Sequence, residues 1–223
     1  MTNRSLIEDV SQAGEEANRG PRLTRADWLE KALDVLVGHG VDAVRITRLA
    51  DLLGVTRGSF YWHFKDRTEV LNAMIEFWDR KNTTHIVEAS RRGPDLEGSV
   101  LAVFEAWLIP ERFDPRLDFA IRDWARGDGR LQAIVREADR KRLDALAAMF
   151  ARHGFDHAQA EIRARNIYYI QMGYYALDVQ EPMSVRLSLL PTYFETYTDR
   201  KLSPEAIAAF RSKVSALVDT EAG

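Results

Sequence analysis

Nowhere does this chain alternate cleanly between β-branched and polar residues, whereas apolar residues recur at spacings of three and four along almost its whole length. The first pattern is what a half-buried strand needs, and the second is what an amphipathic helix needs. An all-α fold is therefore expected. With 223 residues, 46% of them hydrophobic, the chain can bury a substantial core in one or two domains. It has no cysteine, which excludes disulfide scaffolds, thiolate metal sites and cysteine nucleophiles and fits a reducing compartment. No apolar run approaches the roughly 18 residues of a membrane span, and residues 1–20 lack the continuous apolar stretch of a signal peptide. A cytoplasmic protein without membrane association is expected.

The net charge of -3 excludes a uniformly basic nucleic-acid binder but not a local basic patch. The charge is unevenly spread. Residues 1–21 are acidic on balance, polar and without periodicity, and end at Gly20-Pro21, which reads as a disordered tail. Residues 45–67 carry five basic residues (Arg45, Arg48, Arg57, Lys65, Arg67) against Asp51 and Asp66. This local excess lies beside an aromatic cluster. The expected organisation is a tail at 1–21, a helix-turn-helix domain at 22–67 and a helical body at 68–223.

Residues 44–67 read VRITRLADLLGVTRGSFYWHFKDR. A first helix opens upstream, where Thr24 and Asp27 have capping-box spacing, with the stripe Trp28, Ala32, Val35, Leu36 and an end at Gly38 and Gly40. Leu49, Ala50 and Leu53 then share a face of a short helix, and Gly54 suits the left-handed residue that closes it. Thr56 can N-cap the next helix through its hydroxyl. Helices joined this tightly cross steeply. Phe60 and Phe64, four apart, are assigned to the core, which leaves Arg57, Gly58, Tyr61, Trp62 and Lys65 on other faces. A helix of about eight residues is roughly 12 Å long and fits a major groove about 12 Å wide. Arg57 can fork onto guanine, Gly58 permits close approach, and Ser59 can reach a base edge or phosphate. Tyr61, His63 and Lys65 suit backbone oxygens. An exposed Tyr-Trp pair is equally open to a place in the core or in a protein interface; the clustered basic residues favour double-stranded DNA.

The run Leu49-Ala50, then Leu53 to Asp66 with Gly-Ser-Phe-Tyr-Trp-His-Phe at its centre, resembles the DNA-binding signature of the tetracycline-repressor-like (TetR) family of transcriptional regulators. The resemblance covers residues 24 to about 78. It implies a three-helix head at 24–64 and a connecting helix opened by Asp66, with Glu69 completing a capping box. It also implies that Arg57, Gly58 and Ser59 read bases, and that Thr56, Tyr61, Trp62, His63 and Lys65 contact phosphate or bases. One departure stands out. The family usually begins its second helix with paired threonines followed two places later by Arg, where this chain has Val44, Arg45 and Thr47. Arg45 supplies charge from a neighbouring position in this reading, so Arg45 and Thr47 join the candidate DNA-binding set.

Residues 96–219 carry further helical stripes near 97–109, 116–126, 130–152 and 159–177. A last helix is N-capped by Ser203 with Pro204 following, and bears Ile207, Phe210, Val214 and Leu217. Pro191 is expected to break or start an element within 182–199. The segment 167–177 is apolar nearly all round, with Gln171 its clear polar exception, so burial on more than one side is expected. A two-fold homodimer meets that need and sets twin recognition helices about 34–36 Å apart. The resemblance implies the same dimer, and a ligand pocket whose occupancy weakens DNA binding. Phe104, Trp107, Trp124, Met149, Tyr168, Tyr169, Met172 and Tyr175 are candidate lining residues, with Gln171 or a phenol orienting a small hydrophobic or aromatic ligand.

Three functions follow: a homodimeric repressor of a palindromic operator released by such a ligand, a DNA-binding regulator with no small-molecule effector, and an enzyme. The chain has no nucleophile elbow, P-loop or dinucleotide fingerprint. His153 and His157 have helical spacing, but Gly154 and Asp156 between them suggest a solvated turn rather than a metal site. No catalytic residue, metal or cofactor is assigned.

Overall fold

The computed structural model describes residues 23–109 and 111–221, with side chains described as far as residue 216. The expected tail at 1–21 and the Leu217 side chain lie outside what is described. The described residues form helices and turns without a strand, in keeping with the all-α expectation.

Three helices make the head. Helix α1 (Arg25–His39) opens with the reciprocal Thr24/Asp27 capping box and buries Trp28, Ala32, Val35 and Leu36. Gly38 lies in its last turn, and Gly40, at φ 76, closes it. A 3-10 turn (Val41–Ala43) leads to α2 (Ile46–Leu52), after which Gly54 takes φ 67. Helix α3 (Arg57–Phe60) follows.

The long connecting helix starts as α4 (Arg67–Trp78), passes through a π-helical segment at Asp79–Thr84 and continues as α5 (His85–Ser90). Asp66 caps α4 by accepting from Glu69 N at 2.9 Å. The reciprocal half of the expected capping box is shifted by one residue: Glu69 accepts from Lys65 N at 2.7 Å and pairs with Arg25 at 3.2 Å. The glutamate thereby ties α4 to α1 as well as to its own cap.

The body consists of α6 (Leu96–Leu108), α7 (Pro115–Ala125), α8 (Gly129–Arg152), α9 (His157–Ala176), α10 (Met183–Thr198) and α11 (Pro204–Glu221). Four of these begin at N-cap aspartates (Asp95, Asp114, Asp128, Asp156), as polar side chains that accept orphan amides should. Pro191 does not break α10. It sits inside the helix, and the Leu187 carbonyl four residues back, which Pro191 cannot donate to, accepts instead from Arg211 Nη2 at 3.4 Å. Ser203 caps α11 through a 3.2 Å bond from Ala206 N and is itself held by Glu97.

The core has two parts. One runs through the head and on into α4, α7 and the first half of α8, joining Trp28, Phe60 and Phe64 to Trp78, Leu117, Ile121 and Val135. The other fills the distal body around Val100, Trp107, Phe150, Ile167 and Phe194. Packing is thus continuous across residue 67, from the head into α4.

A buried polar network ties the connecting helix to the body. Asp118 accepts from Trp78 Nε1 at 2.7 Å, Arg122 Nε at 2.7 Å and Arg142 Nη2 at 3.1 Å. Arg142, also buried, reaches Thr83 and Tyr168, and Tyr168 donates to Asp139 at 2.6 Å. The π-helical segment places Asn82 and Thr83 inward, where they meet this network. Burial by itself would raise the Asp118 carboxyl, but the Arg142 and then the Arg122 guanidinium outweigh it and hold it below the usual carboxylate range.

Candidate nucleic-acid interface and bundle cavity

Phe60 anchors the recognition segment. It is fully buried, meets Trp28 edge-on at 5.3 Å and stacks on Phe64 at 5.5 Å. Helical periodicity then turns the intervening side chains outward. Trp62 is 85% exposed and Tyr61 61% exposed, and Thr56, Arg57, Gly58 and Lys65 are exposed as well, while Ser59 and His63 are half-buried.

The segment departs from expectation in two ways. The α-helical part covers only residues 57–60; beyond it the chain tightens, with Tyr61 N, Trp62 N and His63 N bonding three residues back at 2.9–3.3 Å. The helical path still reaches Phe64, so both phenylalanines stay on the inner side. Thr56 is the N-cap, but its hydroxyl makes no capping bond; the turn is closed instead by Ser59 N on the Thr56 carbonyl at 3.0 Å.

The basic residues divide by role. Arg67 turns inward, donating to the carbonyls of Val44 at 2.6 Å and Val41 at 2.7 Å, and so pins the loop before α2. Arg57 and Lys65 stand outward. Arg45 is exposed and donates through Nε to the Asp42 carbonyl at 2.9 Å. The resulting surface offers guanidinium, ammonium, phenol and indole groups around Gly58, whose neighbourhood is open apart from the Thr56 hydroxyl. Such a surface can reach base edges and phosphates together.

Residues 29–74, from α1 into α4, match the family model described as bacterial regulatory proteins, tetR family. The head thus carries the DNA-binding module that this family model describes. The probable HTH-type transcriptional regulator ArpR of Pseudomonas putida is 32% identical over 88 residues, 40% of each chain. The probable acrEF/envCD operon repressor of Escherichia coli (strain K12) is 39% identical over 51 residues, 23% of each chain. The match therefore spans 23–40% of the length of these two curated relatives. Likeness of fold reaches further. The fatty acid degradation regulator FadR from Bacillus halodurans superposes with a TM-score of 0.58 at 16% identity, over 81% of this chain and 96% of that one.

Against the tetR pattern, Val44 is buried, Arg45 occupies the N-cap of α2 without a side-chain cap bond, and Thr47 is exposed. The helix therefore starts without the hydroxyl that the usual threonine would provide.

In the body, a cavity of about 60 Å³ lies between α6, α9, α10 and α11. Of the nine candidate lining residues, Phe104, Trp107 and Gln171 border it. The other six candidates lie elsewhere. Trp124 packs against the head-side core and Met149 is sealed in the distal core. Tyr168 belongs to the polar network, and Tyr169 is 56% exposed. Met172 packs against the distal core, and Tyr175 stacks on Phe113 at 5.4 Å with its hydroxyl donating to the Trp107 carbonyl. Because α9 is apolar nearly all round, its periodicity does not say which face meets the cavity.

The lining that sequence reasoning misses is mostly on α10: Met183, Arg186, Leu187, Leu190, Tyr193 and Tyr197. Their spacing is that of one helical face and is a usable signal once the helix is read through Pro191. Tyr193 and Tyr197 stack at 5.9 Å, and the Tyr174 and Tyr193 hydroxyls meet at 2.9 Å.

One of the two histidines of the α8–α9 turn departs from the expected solvated turn. His153 is not free in a solvated turn: its Nε2 lies 2.9 Å from Ser99 Oγ. His157 is exposed and faces Glu161 on its own helix.

Proposed function

We propose that this protein is a homodimeric DNA-binding transcriptional repressor. In this reading it grips a palindromic operator with two heads and is released when a small hydrophobic ligand occupies the α6/α9/α10/α11 cavity. One observation carries the DNA reading: Phe60 and Phe64 are sealed inward while Trp62, Tyr61, Arg57 and Lys65 stand in solvent. An indole exposed to 85% gains nothing from the fold, whereas a groove would bury it. Arg57, Gly58 and Ser59 read bases; Arg45, Thr47, Thr56, Tyr61, Trp62, His63 and Lys65 position the head on phosphates and sugars. One of the two relatives described above is named as an operon repressor, which supports repression as the outcome.

Dimerisation is supported by what α9 and α10 leave uncovered. Ile162, Tyr169, Ile170 and Leu177 recur on one face of α9, and Val185 and Leu189 on α10; all six are exposed. Large apolar side chains grouped this way mark an interaction surface. Ile170 also lines the cavity, so a ligand that enlarges the cavity presses on the same helix that would face the partner. A cavity of about 60 Å³ is smaller than the roughly 150 Å³ of one that takes up benzene. Ligand entry therefore requires repacking, which is the differential contact that allosteric release demands.

The test is operator binding. A cognate palindrome, selected from a randomised pool, is titrated with native protein and with Arg57→Ala. The variant is expected to lose about 1–3 kcal/mol of binding and to relax specificity at one base pair of each half-site. Unchanged binding and specificity would contradict the base-reading assignment.

A further inference from the structure

The cavity contains more than apolar surface. Among the described residues, two side chains lining it keep a buried polar nitrogen without a hydrogen bond: Trp107 Nε1 and Gln171 Nε2. The Tyr175 phenol donates to the Trp107 backbone carbonyl at 3.1 Å, and the Gln171 amide approaches it closely enough to act as a weak donor that lowers its pKa. Burial pushes that phenol up, and Arg186 on the cavity wall pulls it back, so the guanidinium's field reaches the same spot. Arg186 lies over the Tyr174 ring at 5.3 Å and forms no ion pair with a described carboxylate. Among the described residues, no Asp or Glu lines the cavity. The nearby Glu181 accepts from the Tyr174 hydroxyl at 3.1 Å.

We propose that the cavity is built for a hydrophobic carboxylic acid, its flat apolar body between the tyrosines and its carboxylate on Arg186, Trp107 and Gln171. The inference rests on the effector reading above and names the effector's chemistry. An unpaired buried donor forfeits the bond it would make to water, and a carboxylate has two acceptor oxygens to offer such donors. A guanidinium with no carboxylate partner adds charge-assisted bonding. A cation is repelled by Arg186, and a purely apolar molecule leaves both nitrogens unpaired. Tyr193 and Tyr197, stacked at 5.9 Å on the cavity wall, offer a flat face to a ring.

The experiment titrates full-length protein, without DNA, with 2-naphthoate and with its neutral counterpart 2-naphthamide, followed by calorimetry and tryptophan fluorescence. The acid is expected to bind at least about tenfold more tightly than the amide. Arg186→Gln should erase that preference while retaining amide binding. Trp107→Phe, which keeps the ring but removes the N–H, should weaken the acid and shift its fluorescence response. Thermal melts of both variants confirm that they fold. Equal affinity for acid and amide in the native protein, or no binding of either at millimolar concentration, would overturn the proposal. Operator binding is measured in parallel. Acid binding that leaves operator affinity unchanged supports the ligand class and contradicts the effector reading instead.

Discussion

Phe60 and Trp62 are two residues apart and both aromatic, yet one is sealed in the head and the other is 85% exposed. The difference sets apart what each substitution should do. Phe60→Ala removes a ring packed on Trp28 and Phe64 and should cost about 3–5 kcal/mol of stability. Trp62→Ala should leave the melting temperature within a degree or two and still weaken operator binding. Chemical denaturation alongside a DNA titration separates the two; a large stability loss in Trp62→Ala would contradict its place on the surface. At this scale the inward and outward sides of the recognition segment are legible in sequence, because Phe60 and Phe64 stand four apart. Arg67 is not. In sequence it is one more cation in a basic cluster, and only the fold shows it turned onto the Val41 and Val44 carbonyls. The Thr56 hydroxyl departs from expectation for a related reason, since an N-cap position does not guarantee an N-cap bond when the turn closes through the backbone.

The elements differ in how far local pattern determines them. Helices α6, α7, α8 and α9 appear within two residues of their expected limits, because each has an aspartate at its start and the first three an amphipathic stripe. Helix α10 is obscured by Pro191, whose break is compensated by Arg211 from 20 residues away, a tertiary interaction that no local window contains. The π-helical segment of the connecting helix is likewise hidden, since its inward Asn82 and Thr83 answer to the buried network around Asp118. That network yields a prediction. Asp118→Ala leaves Arg142 buried beside an empty site and should cost about 3–5 kcal/mol, read as a fall in melting temperature. Its pH dependence has a definite sign. Because the folded-state carboxyl sits below its usual value of 3.8, its contribution is present above that pH and is lost as pH falls through the folded-state value. Native protein should therefore lose more stability than Asp118→Ala on acidification below pH 3.8. Parallel acid titrations of the two would contradict the assignment.

At the scale of the molecule, the two cores join the head to α4, α7 and α8 on one side and the cavity to α9 and α10 on the other. The Asp118 network bridges them through Trp78 and Tyr168. A change in α9 thus has a physical path to the connecting helix. In the proposed dimer, the exposed apolar face of α9 and α10 would meet the second copy. Scattering should give twice the 25.5 kDa chain mass, and Tyr169→Glu should shift it towards one chain; a native monomer at micromolar concentration would contradict the dimer. The most direct test of the whole account is the salt dependence of binding to the selected palindrome. Cations that neutralise phosphates displace counterions, so log affinity should fall linearly with log salt, and removing one such cation should flatten the slope by about 0.9. The account predicts a steep native slope that Lys65→Ala makes shallower by about one; a slope near zero in the native protein would contradict it.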